Sequence, residues 1–280
     1  MEKNLKTLLL KHGFTFKKAF GQNFLTDDSL LGEIADASGI SKTDTVLEIG
    51  CGAGALTREL AKRANKVIGY EIDQKLKPIL GEQLEEFNNV NIVYKDVLKE
   101  DFFELEKNLG KDYVMCANLP YYITTPIIMK FIENSKNIKA MIVMVQEEVA
   151  LRLVSKAGTS DYGAITVGIN LRGSAEIIKR VGREMFTPAP NVDSAVVKIT
   201  FDRDKFNGVD FNAVRNTVKI AFMNRRKMLV NNLMNGYKIN REKAESVLNQ
   251  VGIPLTSRGE TLDAVDFVKL TDALKGIGDK

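Results

Sequence analysis

Residues 46–56 read Val46-Leu47-Glu48-Ile49-Gly50-Cys51-Gly52-Ala53-Gly54-Ala55-Leu56 and decide the fold. An apolar run leads into a turn with three glycines at alternate positions, and a helical pattern of apolar residues follows. This order predicts a strand, a tight turn and a helix. Glycines let the backbone turn sharply and let a ligand come close, while the helix N-terminus offers free N–H groups. Taken alone, the turn fits both a ligand site and a plain strand-to-helix connection.

The same alternation continues along the first part of the chain. Strands are predicted at 45–49, 66–71, 91–95, 112–117 and 139–145, and helices at 56–64, 74–86, 126–134 and 147–156. Strands that alternate with helices at this spacing predict a parallel sheet covered on both faces. Residues 98–109 fit a helix or a loop, and residues 164–171 fit a helix or a strand. Two later strands, 176–181 and Ser194–Phe201, follow each other without a helix and predict an antiparallel hairpin at the sheet edge.

The last part of the chain shows helical patterns only. They cover 210–224, 226–235, 240–250 and 263–275 and follow a polar stretch at 202–208. We therefore expect two domains, an α/β domain of residues 1–204 and a small all-α domain of residues 205–280. The first domain begins with an arm in which Lys17 and Lys18 stand among phenylalanines. This pattern suits nucleic acid, and it equally suits an arm packed on its own domain.

Composition narrows the classes of function. The 280 residues carry a net charge of +4, which permits a polyanionic partner without requiring one. Two cysteines far apart and a single histidine argue against a metal centre and a Ser-His-Asp triad. No apolar run approaches the roughly 20 residues that span a bilayer, and the N-terminus lacks a signal-peptide pattern. We expect a cytoplasmic protein that binds neither a membrane nor a metal.

Acidic side chains follow two predicted strands at the end where parallel sheets bind ligands. Glu71 comes about twenty residues after Gly50, where a carboxylate can accept hydrogen bonds from both hydroxyls of a ribose. Glu71 also fits a plain surface charge at a strand end. Asp96 ends the third strand, where it can accept from an adenine amino group or cap the next helix. Glu71 and the glycine turn together favour a nucleoside ligand.

The fourth strand ends in Asn118-Leu119-Pro120-Tyr121, the most specific motif in the chain. It resembles the Asn/Asp-x-Pro-Tyr motif of methyltransferases that act on exocyclic amino groups of bases. Such an amino group is a poor nucleophile, because its lone pair is delocalised into the ring. The Asn118 side-chain oxygen and the Leu119 carbonyl can accept its N–H bonds and aim the lone pair at a methyl group. Pro120 fixes the backbone, and Tyr121 offers a face for base stacking. The alternative is a proline turn with a buried tyrosine.

Several motifs together resemble one family. The glycine turn, with Glu48 before it, looks like the first motif of class I S-adenosylmethionine-dependent methyltransferases. Residues 21–25 (Gly-Gln-Asn-Phe-Leu), the motif at 118–121, and residues 186–197 and 222–227 extend the match. With these motifs in this order, the chain resembles the KsgA/RsmA family, the adenine dimethyltransferases of small-subunit ribosomal RNA. The resemblance covers nearly the whole chain.

The resemblance implies a fold and a cofactor. The fold is a Rossmann-like class I methyltransferase domain, with a mostly parallel seven-stranded sheet and an antiparallel edge hairpin, plus a small C-terminal all-α domain. S-Adenosyl-L-methionine is the implied cofactor and S-adenosyl-L-homocysteine the product, with no metal. The implied cofactor-binding residues are Asn23, Leu25, Gly50, Gly52, Glu71, Asp96 and Asn118. The implied residues at the target base are Asn118, Leu119, Pro120, Tyr121 and Phe186.

The resemblance also implies a substrate. The family transfers four methyl groups to the N6 amines of two neighbouring adenosines near the 3′ end of small-subunit (16S) RNA during subunit biogenesis. We expect RNA contacts from Arg225, Arg226 and Lys227 and from the arm with Lys17 and Lys18. Each basic cluster also fits a solvated charged surface. We expect a monomer that acts on the small ribosomal subunit.

Other functions stay open on the sequence. A related large-subunit adenine methyltransferase that confers macrolide resistance shares the catalytic motif, but it usually carries Asn-Ile-Pro-Tyr or Asn-Ile-Pro-Phe. Leu119 and the segment Phe-Thr-Pro-Ala-Pro at 186–190 favour the small subunit. A non-catalytic factor that docks on the immature subunit is an alternative from another class, and the two roles can coexist. A dehydrogenase is disfavoured because the glycine spacing differs from the dinucleotide motif.

Overall fold

The computed structural model describes residues 5–16, 23–25 and 27–275. Its contacts divide the chain into two compact units. The first comprises Met1–Ala150 and Ala175–Phe201, and the second comprises Leu151–Ser174 and Asp202–Lys280. Residues 151–174 thus group with the helical unit, although we expected them in the first domain. The physical reason is packing, because Tyr162, Val167 and Leu171 are buried in the core of the helical unit.

The first unit is built on a mostly parallel seven-stranded sheet, as predicted. The described strands are β1 (Phe24–Leu25), β2 (Thr45–Ile49), β3 (Lys66–Tyr70), β4 (Val90–Val93), β5 (Tyr113–Asn118), β6 (Ile138–Gln146), β7 (Gly173–Val181), β8 (Phe186–Thr187) and β9 (Ser194–Phe201). The order in the sheet is β4-β3-β2-β5-β6-β9-β7. β2 pairs in parallel with β3 and β5, β3 with β4, and β5 with β6. β9 runs antiparallel to β6 and separates it from β7 at the edge.

Helices surround the sheet and make up most of the second unit. The described helices are α1 (Leu5–Lys11), α2 (Asp28–Ala37), α3 (Ala55–Arg63), α4 (Lys77–Gln83), α5 (Phe102–Leu109), α6 (Thr124–Asn134), α7 (Glu147–Val154), α8 (Ala164–Arg172), α9 (Phe211–Ala221), α10 (Leu229–Tyr237), α11 (Arg241–Gln250) and α12 (Ala264–Leu274). Among them no helix has both the length and the apolar character needed to span a membrane.

Burial explains strand β6, and a side-chain cap explains where helix α2 begins. Within β6, residues 140–145 are all at most 6% exposed, so this strand is covered on both faces, as an apolar run predicts. Helix α2 begins after Asp27, whose carboxylate accepts a hydrogen bond from the Leu30 N–H at 2.9 Å. This cap fixes where the chain enters α2.

The structure settles the segments that the sequence left open. The 3₁₀ turn Val97–Lys99 and helix α5 cover most of residues 98–109, and residues 164–171 lie in a helix, α8. Helix α10 begins at Leu229 and not at residue 226, because residues 222–226 form turns and Met228, before the helix, is extended. The short pairing of β1 with β8 was not predicted: Phe24 lies opposite Thr187 and Leu25 opposite Phe186. Two segments far apart in sequence therefore meet in one antiparallel ladder.

Candidate active site

A cavity of about 220 Å³ opens at the carboxyl ends of β2, β3 and β5 in the first unit. Parallel sheets bind ligands at this end of their strands. Every residue that we expected at the cofactor or the target base lines this one cavity: Asn23, Leu25, Gly50, Gly52, Glu71, Asp96, Asn118, Leu119, Pro120, Tyr121 and Phe186. The structure thus brings together residues spread over more than half of the chain. Their individual roles remain predictions.

The glycine turn forms one wall of the cavity. Gly50, Gly52 and Gly54 have φ angles of 78°, 54° and 85°, which residues other than glycine rarely adopt. A Cβ atom on Gly52 would lie 3.0 Å from the Phe24 ring, and one on Gly50 would lie 3.4 Å from the Asn118 carbonyl oxygen. Any larger residue would therefore strain the backbone and fill space beside the cavity.

Glu71 is fixed at the cavity wall by backbone donors. Its side chain is buried, with 6% of the residue exposed. One carboxylate oxygen accepts a hydrogen bond from the Gly52 N–H at 2.8 Å, and the other accepts from the Asp73 N–H at 2.8 Å. Burial raises the pKa of the Glu71 carboxyl, and the backbone N–H donors oppose that shift. Glu71 is thus not the plain surface charge that the sequence also allowed.

Asp96 caps a turn and also lines the cavity; its role at an adenine stays a prediction. Its Oδ1 accepts a hydrogen bond from the Leu98 N–H at 3.0 Å and caps the 3₁₀ turn Val97–Lys99. The same residue lines the cavity together with Val97 and Leu98. Among the residues that the structure describes, none is hydrogen-bonded to the second carboxylate oxygen of Asp96, so this oxygen can accept from a ligand.

The motif at 118–121 turns the chain from β5 into α6. The Asn118 side-chain amide donates to the Asn23 carbonyl oxygen at 3.4 Å, so the end of β5 contacts the N-terminal segment. The Pro120 carbonyl oxygen accepts from the Ile123 N–H at 3.0 Å and starts a 3₁₀ turn. The Tyr121 hydroxyl lies 3.0 Å from the hydroxyl of Ser194, which is fully buried. These contacts fix both the amide and the aromatic ring at the cavity.

The β1–β8 ladder brings two further expected residues to the same cavity. Leu25 and Phe186 lie opposite each other in this ladder, and both are buried, with 3% and 4% exposed. Phe186 and Tyr121 both line the cavity. That a base is held between these two rings stays a prediction.

The cavity also contains residues that sequence reasoning missed. Phe24 lines it and belongs to an aromatic cluster, with ring centroids 6.0 Å from Phe14 and 5.4 Å from Phe16. Tyr122, next to the expected Tyr121, lines the cavity while 60% of it is exposed. The phenylalanine pattern of the basic arm was a sequence signal for the aromatic cluster around Phe24. No spacing rule distinguishes Tyr122 from an ordinary turn residue.

Glu48, the acidic residue before the glycine turn, is an unusual buried carboxyl group. Only 1% of it is exposed, and its Oε2 has no hydrogen-bond partner among the residues that the structure describes. Burial raises the pKa of Glu48 to about 7. The nearby Thr57 hydroxyl and Cys51 thiol oppose this shift, and the Glu71 carboxylate reinforces it. Glu48 therefore changes its charge near neutral pH.

Glu48→Gln should remove a pH-dependent loss of stability. The folded protein holds the Glu48 proton up to about pH 7, while the unfolded chain releases it near its ordinary pKa of 4.5. The wild-type free energy of unfolding should therefore fall relative to the variant as pH rises between these values, by about 3 kcal/mol in total. Urea unfolding of both proteins from about pH 5 to about pH 8 measures the difference. A difference that does not change with pH would show that Glu48 titrates at its ordinary pKa.

The expected RNA-binding residues of the second unit are exposed, but they are not equivalent. The Arg225 guanidinium donates to the carbonyl oxygens of Ser160 and Tyr162 at 2.7 and 3.0 Å, and it lies 3.3 Å from the Glu260 carboxylate. Arg225 therefore holds turns of its own unit together. Arg226 and Lys227 are exposed and form no ion pair within the described residues. Lys17 and Lys18 lie outside the described residues.

The sheet order, the glycine turn and the carboxylates at the strand ends define a class I S-adenosylmethionine-dependent methyltransferase. Comparison with protein families gives a narrower result. The family described as "Ribosomal RNA adenine dimethylase" matches residues 13–270. The chain therefore belongs to the ribosomal RNA adenine dimethylase family.

Named relatives agree with this family. "Ribosomal RNA small subunit methyltransferase A" of Geobacillus thermodenitrificans is 45% identical over 276 residues, covering 96% of this chain and 94% of the relative. The protein of the same name from Geobacillus kaustophilus is 46% identical over the same shares. A crystal structure of a dimethyladenosine transferase from Plasmodium falciparum is 30% identical, with a TM-score of 0.76 over 88% of this chain and 95% of that one. The crystal structure of the 23S rRNA methyltransferase ErmE is 27% identical, with a TM-score of 0.69 over 90% and 99%.

The residues at the cavity fit the cofactor of this family. The glycine turn lines the cavity without side chains at Gly50 and Gly52, so a ligand can come close to the backbone there. Glu71 presents a fixed, buried carboxylate at the position expected for ribose hydroxyls. Asp96 presents a carboxylate beside two apolar residues, Val97 and Leu98, a setting that suits a purine ring with an amino group.

Proposed function

We propose that this protein transfers methyl groups from S-adenosyl-L-methionine to the N6 amines of two adjacent adenosines near the 3′ end of small-subunit (16S) ribosomal RNA. The observation that carries the proposal is the Asn118–Tyr121 turn, fixed by side-chain contacts at the same cavity as Glu71 and Asp96. The sequence identity to small-subunit methyltransferases supports the choice of subunit. The reaction belongs to small-subunit biogenesis.

The side chains at the cavity would position the target amine. The bound cofactor supplies an electrophilic methyl group and leaves as S-adenosyl-L-homocysteine. Because the Asn118 amide nitrogen donates to Asn23, its Oδ1 is the acceptor available to the adenine amine. The Leu119 carbonyl oxygen is the second acceptor, and Tyr121 and Phe186 would hold the base between their rings. The target must leave its stack to enter this site, and alignment supplies much of the rate.

Dimethylation sets a condition on this site. After the first transfer the amine carries one methyl group and a single N–H. The site must then hold the amine through one acceptor, so Asn118 and Leu119 cannot both be required in each step. No side chain needs to act as a strong base, since the methylated amine is briefly cationic and loses its proton easily. We further propose that the enzyme is a cytoplasmic monomer and uses no metal.

RNA affinity should depend on the second unit. In the variant Arg226→Glu/Lys227→Glu, affinity for the small subunit should fall about tenfold or more, and its salt dependence should flatten, because phosphate contacts release counterions. Arg225 is left unchanged, since it holds turns of its own unit. Binding is measured at several salt concentrations by filter retention. Lys243→Glu/Lys269→Glu is a matched control, because it makes the same charge change at exposed lysines of that unit. Equal salt slopes for both variants would contradict the assignment.

A non-catalytic assembly role is the alternative from another class, and it can coexist with catalysis. A protein that only docks on the immature subunit needs the second unit but not the cavity. Complementation of a strain that lacks the enzyme, using an Asn118→Ala protein, separates the two roles. Full rescue of subunit assembly without methylation would assign the essential role to binding.

The proposed function is tested by the choice of subunit. The purified protein is incubated with S-adenosylmethionine carrying a labelled methyl group and with small or large ribosomal subunits that lack the modification. We expect label in the small subunit only, and none in small subunits that are already fully methylated. Label in the large subunit alone would assign the activity to the type of enzyme represented by ErmE.

A further inference from the structure

Lys130 makes an unusual set of contacts next to the cavity. Its ammonium group donates to three backbone carbonyl oxygens, those of Val97 at 3.1 Å, Leu98 at 2.9 Å and Glu100 at 2.9 Å. An ammonium group has three donors, so one side chain uses all of its hydrogen-bonding capacity on a single short segment. Hydrogen bonds from a charged donor are among the stronger ones in proteins.

The segment that Lys130 holds forms one end of the cavity. It follows β4 and contains the 3₁₀ turn Val97–Lys99, which begins at Asp96. Asp96, Val97 and Leu98 line the cavity, and Asp96 is the carboxylate expected at the adenine of the cofactor. The turn's own backbone hydrogen bonds run from the Lys99 N–H to the Asp96 carbonyl and from the Glu100 N–H to the Val97 carbonyl. The three contacts of Lys130 tie this turn to α6 in addition.

Lys130 also belongs to the helix that follows the catalytic motif. Helix α6 starts at Thr124, directly after the 3₁₀ turn Tyr121–Ile123, and the Thr124 hydroxyl donates to the Pro120 carbonyl oxygen at 3.3 Å. Lys130 lies less than two helical turns further along. The side chain therefore spans from the helix that continues the 118–121 motif to the segment that carries Asp96.

We propose that Lys130 is a positioning residue for the adenosine end of the cofactor, acting through the three carbonyl groups that it binds. This inference rests on the proposed function, because it concerns the S-adenosylmethionine site. Partial burial lowers the pKa of Lys130, and the nearby carboxylates of Asp96, Glu100 and Asp101 oppose this shift. The side chain does not line the cavity, so its effect on the cofactor is indirect.

Lys130→Met tests the proposal, because methionine keeps a similar apolar stem and removes all three donors. We expect the dissociation constant of S-adenosylhomocysteine, measured by calorimetry, to rise about tenfold. The loss should be equally large for 5′-methylthioadenosine, which contains the adenosine end but lacks the amino-acid end. In steady-state assays KM for the cofactor should rise by the same factor, while kcat and KM for the RNA change less than about twofold.

A matched variant separates positioning from general loss of stability. Lys139→Met removes an ion pair at 2.7 Å with the buried Asp44, and neither residue lines the cavity. This control should lower the unfolding temperature without weakening either ligand. Restoring the ammonium group should restore binding: Lys130→Cys, alkylated to S-aminoethylcysteine, should recover the affinity. The native Cys51 and Cys116 are both buried. Wild-type protein treated with the same alkylating reagent shows whether their modification affects binding.

The ligand affinity of the Lys130→Met protein decides between a positioning role and a purely structural role. If Lys130→Met lowers the unfolding temperature but leaves both ligands bound within about twofold of wild type, Lys130 has only a structural role and the proposal fails. Calorimetry with the wild-type protein requires no RNA, so it also separates this inference from the proposed substrate. Wild-type binding of S-adenosylhomocysteine without methylation of the small subunit would refute the substrate and leave the role of Lys130 open to the same test.

Discussion

Asn118→Ala should lower methyl transfer to the small subunit by about 10³-fold or more. The variant loses the acceptor that we propose for the adenine amine, and it also loses the contact from the Asn118 amide to the Asn23 carbonyl oxygen. Binding of the cofactor should persist, at most weakened, because Glu71 and Asp96 are unchanged. Single-turnover transfer of a labelled methyl group measures the rate, and calorimetry with S-adenosylhomocysteine measures the cofactor affinity.

The control for this variant makes the same change elsewhere in the same unit. Asn91 lies exposed on β4 and does not line the cavity, so Asn91→Ala should transfer methyl groups at the wild-type rate. If Asn118→Ala also works at the wild-type rate, the mechanism that places the amine against Asn118 is wrong.

Glu71→Ala should weaken binding of the cofactor about 100-fold or more. The change removes the two oxygens that we propose as acceptors for the ribose hydroxyls. It also leaves the Gly52 N–H without its 2.8 Å contact, so the glycine turn loses a support as well. Calorimetry with S-adenosylhomocysteine gives the affinity directly. Because kcat at saturating cofactor depends on other residues, it should fall much less than kcat/KM for the cofactor.

A second glutamate provides the control for Glu71. Glu59 on α3 belongs to the same unit, pairs with Lys62 and Arg63, and does not line the cavity. Glu59→Ala should therefore change stability only. Equal affinity of the Glu71→Ala and Glu59→Ala proteins for the cofactor would show that Glu71 is a structural carboxylate and does not hold the ribose.

The sequence predicted the elements that follow simple periodic rules. The apolar runs around Val46 and Met141 became the parallel strands β2 and β6, and the glycine turn became the wall of a cavity. Because parallel strands place their carboxyl ends at one edge of the sheet, Glu71, Asp96 and Asn118 were expected to lie near each other. These residues do line the same cavity.

Contacts between distant segments could not be predicted in this way. Three such contacts depend on tertiary packing and not on local spacing. They are the pairing of Leu25 with Phe186, the hydrogen bonds from Lys130 to carbonyl groups of residues 97–100, and the contact between the Tyr121 and Ser194 hydroxyls. The same limit applies to residues 151–174, whose helical pattern gives no information on the unit in which it packs.

Charge clusters show this limit most clearly. In sequence Arg225, Arg226 and Lys227 form one basic group suited to phosphate. In the structure Arg225 is bound to carbonyl groups of its own unit, and only its two neighbours remain exposed without an ion pair among the described residues. A run of positive residues therefore predicts a charged surface, but the role of each side chain depends on the backbone beside it.

The central claim is the dimethylation of two adjacent adenosines in small-subunit RNA, and mapping of the modified nucleosides tests it most directly. Unmodified small subunits are incubated with the protein and S-adenosylmethionine, the RNA is digested, and nucleosides and fragments are identified by mass spectrometry. We predict four methyl groups per subunit, as N6,N6-dimethyladenosine at two neighbouring positions of one fragment near the 3′ end. Methyl groups on any other nucleoside, or at a single adenosine far from the 3′ end, would contradict the account.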